Sequence, residues 1–484
     1  MTNPQPRPVL LWYRQDLRVA DQAALLAAVA TGQPVLPVYV LDDETPGHWA
    51  PGGAGRWWLH GSLASLAGEL ERRGAPLLLR RGRAAAVLAA LAAEVGATAI
   101  HAGRQHEPAG VAAEAELRQA LHGTDTALVL HRTATLFDLD AVRTRTGGIY
   151  GIYAPFARAM RAAGVAAEPA PAPDQVQPPA RCPPSDRLED WDLLPTRPDW
   201  AAGFRETWRP GEPSAHDRLR RFILLASGRY HLGRNEPGEP GTSMLSASLH
   251  WGEVSPLHVW HAAGTAEASE GVERYMGEIL WREFSAYLLH HHPHMPDEPL
   301  RPEFDRMPVR DAEAPGELRA WQRGRTGVPI VDAGMRQLWR IGWMHNRVRM
   351  IAASFLVKHL LMSWQAGERW FWDTLVDADI GNNAASWQWI AGAGIDAQPF
   401  FRVFNPVAQG EKFDGAGAYV RRWVPELARL PDRWLHAPWA APAAVLEAAG
   451  VRLGETYPHP LVKLEEGRDR ALAAFRGAVR KRAA

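Results

Sequence analysis

The first 131 residues alternate short β-rich runs with helical patterns, and that alternation constrains the fold more than any other feature. Val9–Tyr13, Val35–Leu41, Pro76–Arg80, Thr98–Ala102 and Ala127–His131 read as strands. Asp21–Val29, His60–Arg73, Ala84–Val95 and Ala112–Leu121 carry helical spacing between them. Strands joined through helices must run parallel, so a doubly wound sheet with helices on both faces is expected. Yet the first strand–helix turn is Arg14-Gln15-Asp16-Leu17-Arg18. It lacks the glycines that let a pyrophosphate approach a helix N-terminus, and no Walker-type loop occurs. A standard dinucleotide site is therefore not expected here.

Residues 166–186 hold seven prolines and the sole cysteine, Cys182. Such a stretch predicts an extended connector. Helical signals then run almost to the end. The expected organisation is an α/β domain over 1–131, an interdomain linker over 132–205 and an all-helical domain over 206–484. One cysteine excludes a disulfide framework, a multi-cysteine zinc site and an all-cysteine iron–sulfur cluster. With 54 basic and 54 acidic residues the net charge is zero, so a nucleic-acid partner needs a local basic groove. No signal segment precedes the first strand, and the apolar run Ile351–Val357 is cut by Lys358, far short of a membrane span. A cytoplasmic protein without membrane partners is expected.

Several helical-domain motifs have both a structural and a chemical reading. Gly241-Thr-Ser-Met-Leu-Ser246 precedes a helical pattern and suits either a helix cap or a phosphate. Glu278, Trp281 and Arg282 share one helix face, which suits a planar heterocycle or a surface ion pair. Asn346, Arg349 and Met350 repeat that spacing, with Arg347 beside them. Asp377, Asp379 and Asn382-Asn383 follow. An arginine near two carboxylates makes a salt bridge or holds a polar head group. Trp364, Trp387 and Trp389 offer core packing, base stacking or electron transfer. His290-His-His-Pro-His294 carries a proline and no matched carboxylate or cysteine, so no metal is expected.

In combination these segments resemble the DNA photolyase/cryptochrome family, specifically class I cyclobutane pyrimidine dimer photolyases, over about residues 8–480. The resemblance runs through Leu11–Arg18, Gly241–Ser246, Glu278–Phe284, Thr326–Arg336, Gly342–Met350, Asp377–Trp389, Phe401–Pro406 and Gln409–Phe413. It implies an antenna domain, then a helical domain holding FAD, active as FADH⁻. It implies light-driven electron transfer to a pyrimidine dimer flipped out of DNA, and a second pigment of folate, deazaflavin or flavin type. Tyr230, Thr242, Ser243, Leu245 and Ser246 match residues around the FAD phosphates and ribityl chain. Arg282, Arg349, Asp377 and Asp379 match those around flavin and adenosine, and Asn383 matches the residue at flavin N5. Glu278 and Asn346 match groups that bond the lesion, with Trp281, Met350 and Trp389 as its apolar walls. Arg234, Arg347 and Arg402 match phosphate contacts.

Asn346 and Met350 stand where the (6-4) photolyases carry histidines, which favours dimer repair. Cryptochromes usually extend into a signalling tail, whereas this chain stops soon after Arg480-Lys-Arg482. A cryptochrome-type photoreceptor and a non-catalytic damaged- or single-strand-DNA binder are the alternatives. The resemblance implies a monomer with no obligate protein partner. Trp387 and Trp364 match the first two members of the family's photoreduction chain. The third tryptophan has no counterpart: Val309 stands near its place, so the hole is expected to stop at Trp364 or leave through another aromatic, with Trp321, the nearest indole in sequence, as the candidate.

Overall fold

A computed structural model of the chain describes residues 6–396 and 401–480; Lys481 and Arg482 lie outside them. Five parallel strands form one sheet: β1 (Val9–Tyr13), β2 (Val35–Leu41), β3 (Leu78–Arg81), β4 (Ala99–Gly103) and β5 (Ala127–His131). Their spatial order is β3-β2-β1-β4-β5. Every residue of β1 and β2 is buried, because helices cover both faces of a parallel sheet. The order reverses between β1 and β4, and the loops leaving those two strands carry Gln15 and Glu107.

The proline-rich segment is extended, as its composition implies, and it is strapped to the sheet domain. The amides of Val35, Val176, Asp21 and Asp186 bond to Gln177, Arg73, Ala170 and Leu79 carbonyls respectively. Earlier in the 132–205 stretch, the helix Tyr153–Ala163 turns Phe156, Ala157 and Met160 into the helical domain's core.

The described residues from 202 onward form helices joined by loops, around a core containing Trp321, Trp364 and Trp387. Four helices position the site: Glu270–His291, Asn346–Ser354, Trp364–Thr374 and Ile380–Ala391. Gly367 lets two of them approach, since a Cβ there would collide with the Trp387 ring. The two domains meet at the turn Trp251-Gly252-Glu253. Gly252 has φ +68°, and a Cβ would strike the Gln15 carbonyl. Buried Glu253 accepts from Trp58 Nε1, Ser62 Oγ and the Gly211 amide, so a carboxylate replaces the water those donors lose.

Candidate functional site

A cavity of ≈ 710 Å³ opens within the helical domain. Every site residue expected from sequence lines it except Trp364, Arg347 and Arg402. The Glu270–His291 helix, capped by Ser269 Oγ accepting from the Val272 amide at 3.3 Å, supplies Glu278, Trp281 and Arg282. The Asn346–Ser354 helix supplies Asn346, Arg349 and Met350. It starts where it does because His345 Nδ1 accepts from the Arg347 amide at 3.2 Å. Burial, followed by the charges of Arg347 and Arg349, lowers the His345 pKa to about 4, so its ring stays a neutral acceptor at pH 7.

The salt-bridge reading of the arginine and carboxylates holds for one pair. Arg349 Nη2 reaches the Asp377 oxygens at 3.0 and 2.8 Å, and its Nε donates to the Met344 carbonyl at 2.7 Å. Asp379 caps the Ile380–Ala391 helix, accepting from the Asn382 amide at 2.8 Å. Burial pushes the Asp379 carboxyl up, but the His250 side chain, Arg282 and the Asn382 amide bring it below its usual value. Arg282 lines the cavity but donates to Ala134 O at 2.7 Å, which ties the helix to the chain entering the connector.

The polar wall continues with Thr242, Ser243 and Ser246, the last at 3.3 Å from Trp343 Nε1. Asn383 is buried and donates its side-chain amide to the Glu368 carbonyl at 3.1 Å. That bond orients the amide and keeps its oxygen as an acceptor. At the opposite wall Arg234 Nη1 meets Glu278 Oε1 at 2.6 Å. Burial pushes the Glu278 carboxyl up, opposed by Arg234 and Arg274.

Trp281 is 37% exposed. Its ring lies flat on Tyr153, with centroids 3.6 Å apart at 8°. Sequence reasoning missed Tyr153, because nothing in a segment read as connector marks a ring that backs a tryptophan on another helix. It also missed Glu368, whose two buried side-chain oxygens have no hydrogen-bond partner among the described residues, and His250. Glu107, His250 and Asp379 bring one ligand-type atom each within 4.8 Å of one another. In the His290–His294 tract, His290 Nε2 lies 2.7 Å from Asp140 Oδ1.

Outside the cavity, Arg347 donates to Asn235 Oδ1 at 2.5 Å and stacks over Phe413 at 4.4 Å. Burial lowers its pKa, and the charges of Arg234 and Arg402 lower it further. The three arginines thus share one electrostatic neighbourhood. Trp364 is buried, 8% exposed. Trp321 offers no exit for an electron hole: it is 0% exposed and packs 6.3 Å from Trp387 and 6.0 Å from Phe371. Its sequence position near Val309, which is 47% exposed, misled because the helix turns its indole inward to donate to Ala352 O at 3.0 Å.

The cavity falls in the ~300–1,000 Å³ range of cofactor clefts. Its hydroxyls, paired guanidinium and oriented amide suit a ligand with phosphate, sugar and heterocycle parts. The family described as "FAD binding domain of DNA photolyase" matches residues 275–477, and that described as "DNA photolyase" matches 9–174. A deoxyribodipyrimidine photo-lyase of Agrobacterium fabrum is 48% identical over 98% of both chains. Cryptochrome-1 of Arabidopsis thaliana is 36% identical over 95% of this chain and 69% of its own. Among solved structures, a bacterial class III photolyase from Agrobacterium tumefaciens superposes with TM-score 0.94 at 47% identity, covering 99% of each chain. An archaeal photolyase from Sulfolobus tokodaii with two FAD molecules superposes with TM-score 0.82 at 26% identity, covering 97% of this chain and 100% of its own.

Proposed function

The chain belongs to the DNA photolyase/cryptochrome family, and from that premise we propose that it repairs cyclobutane pyrimidine dimers in DNA under light. It is an enzyme of the deoxyribodipyrimidine photo-lyase type with FAD as cofactor. The strong likeness to a class III photolyase favours that class over the class I assignment drawn from sequence motifs. A light-harvesting second chromophore is part of the proposal, and the Sulfolobus relative with its two FAD molecules supports a flavin as one form of it.

One observation supports the reading: the residues matched to a lesion pocket and those matched to a flavin line a single cavity. FAD held there in its reduced form would supply light-driven electron transfer to the lesion. The protein's own groups bind, orient and exclude water. Thr242, Ser243, Ser246 and the Arg349–Asp377 pair would hold the phosphate, ribityl and ring portions. The Asn383 oxygen, fixed by the bond to Glu368, presents a neutral acceptor rather than a carboxylate at its own position. Trp281, Met350 and Trp389 offer apolar faces to a flipped pyrimidine dimer, and a lesion that pairs badly costs less to flip. Glu278 and Asn346 supply polar groups for pyrimidine edges. Arg234, Arg347 and Arg402 would hold phosphates, contributing affinity without sequence choice.

The test is lesion choice. Reduced holoprotein is illuminated with one oligonucleotide carrying a cyclobutane dimer and another carrying a (6-4) photoproduct. Restoration of the first alone is expected; restoration of the second alone contradicts the assignment. Likeness to cryptochromes gives the second reading, a photoreceptor, which predicts flavin photochemistry with neither lesion restored.

A further inference from the structure

Lys358 is among the most buried charged side chains of the molecule, at 2% exposed. It sits on a π-helical turn, Phe355–His359, at the end of the Asn346–Ser354 helix. Such wide turns insert a residue into a helix and occur often at functional sites. The turn aims Lys358 at two targets. Its Nζ donates to the Ala391 carbonyl at 2.7 Å, and lies 3.1 Å from the centre of the Phe401 ring.

Each target belongs to a different part of the substrate surface. Ala391 ends the helix that carries Asn383, Trp387 and Trp389, where the free carbonyls favour a cationic partner. Phe401 directly precedes Arg402 and stacks on Phe475, with centroids 4.4 Å apart at 10°. Trp389, Phe401, Arg402 and Lys358 line one small cavity of ≈ 60 Å³, and Trp389 also lines the large one. Arg301 reinforces the junction by donating to Gly392 O at 3.1 Å.

Packing does not account for a lysine here. A methionine fills similar volume without desolvating an amine, and apolar replacements of buried ionic groups are often neutral or stabilising. Burial pushes the Lys358 ammonium well below the usual lysine range, so the fold keeps it at a cost. We propose that Lys358 is a positioning residue: it fixes the Phe401–Arg402 segment against the Trp389 end of the flavin-side helix, and so sets affinity for damaged DNA. This rests on the dimer-repair reading above.

The experiment compares wild-type holoprotein with Lys358→Met and Phe401→Leu. Flavin absorbance, thermal midpoint, dissociation constant for a dimer-containing oligonucleotide and repair yield at saturating DNA are measured. Lys358→Met is expected to keep flavin and hold or raise the thermal midpoint. Its affinity for the oligonucleotide falls about tenfold, with repair at saturation unchanged. Phe401→Leu, which removes the ring but not the lysine, should weaken DNA binding in the same way, and it decides the matter if Lys358→Met does not fold. Unchanged affinity in the folded variants overturns the proposal, as does a repair defect that saturating DNA does not relieve. A wild-type protein that restores no dimer would instead overturn the reading on which it rests.

Discussion

At the residue scale, the site is a set of local bonds with more than one purpose. Asp379 caps a helix and faces the cavity; Arg349 neutralises Asp377 and holds a backbone carbonyl. The Glu278–Arg234 pair has a cleaner division. Glu278 projects from a helix whose buried face lies elsewhere, so Glu278→Ala should retain flavin and fold while lowering repair yield at saturating DNA at least tenfold. Unchanged yield would remove Glu278 from the lesion-binding set. Trp387 packs against Phe371 at 5.0 Å and Trp321 at 6.3 Å and lines the cavity. Trp387→Phe is expected to abolish prompt photoreduction of oxidised flavin, followed by transient absorption, while repair with chemically reduced flavin survives. Because Trp321 has no surface, Trp321→Phe should not shorten or lengthen the lifetime of a solvent-exposed indole radical.

At the scale of elements, the Glu270–His291 helix joins the site to the chain leaving the sheet. Arg282 donates to Ala134 O, and Glu283 accepts from the Leu136 and Phe137 amides at 3.1 and 2.9 Å. Burial outweighs those two bonds and raises the Glu283 pKa from 4.5 to about 7. The folded state therefore holds a proton that the unfolded state releases above pH 4.5. Stability from this group is full below about 4.5 and declines as pH rises through about 7, by up to about 3 kcal/mol. Glu283→Gln cannot ionise, so its thermal midpoint should fall less than wild type's between pH 5 and 7; parallel profiles would contradict this. The helices were legible in sequence because their spacing is regular, and Glu278, Trp281 and Arg282 fell on one face as the 3.6-residue period requires. The role of Arg282 toward Ala134 was not, because it depends on a contact 148 residues away. Tyr153 was hidden for the same reason. Trp321 shows the reverse error: closeness along the chain to Val309 said nothing about which way the indole points.

At the scale of the whole molecule, a neutral chain brings three arginines into one electrostatic neighbourhood. Arg347 is held by Asn235 and Phe413 at the edge of the cavity, within electrostatic reach of Arg234 and Arg402. Arg347→Ala should weaken binding to damaged and undamaged DNA alike, and reduce the salt slope by about one phosphate's share. A loss confined to damaged DNA would show that Arg347 reads the lesion. The two-part architecture was visible in the strand–helix alternation and the prolines. The fit between the parts was not, since Gly252 against Gln15 and Glu253 under Trp58 join residues far apart in sequence. All of this converges on one cavity whose two walls suit a flavin and a flipped pyrimidine dimer. The most direct measurement takes chemically reduced holoprotein and an oligonucleotide with a single cyclobutane thymine dimer, and quantifies intact thymines with and without blue light. The account predicts restoration in the light and none in the dark; tight binding of the lesion with no restoration under illumination would contradict it.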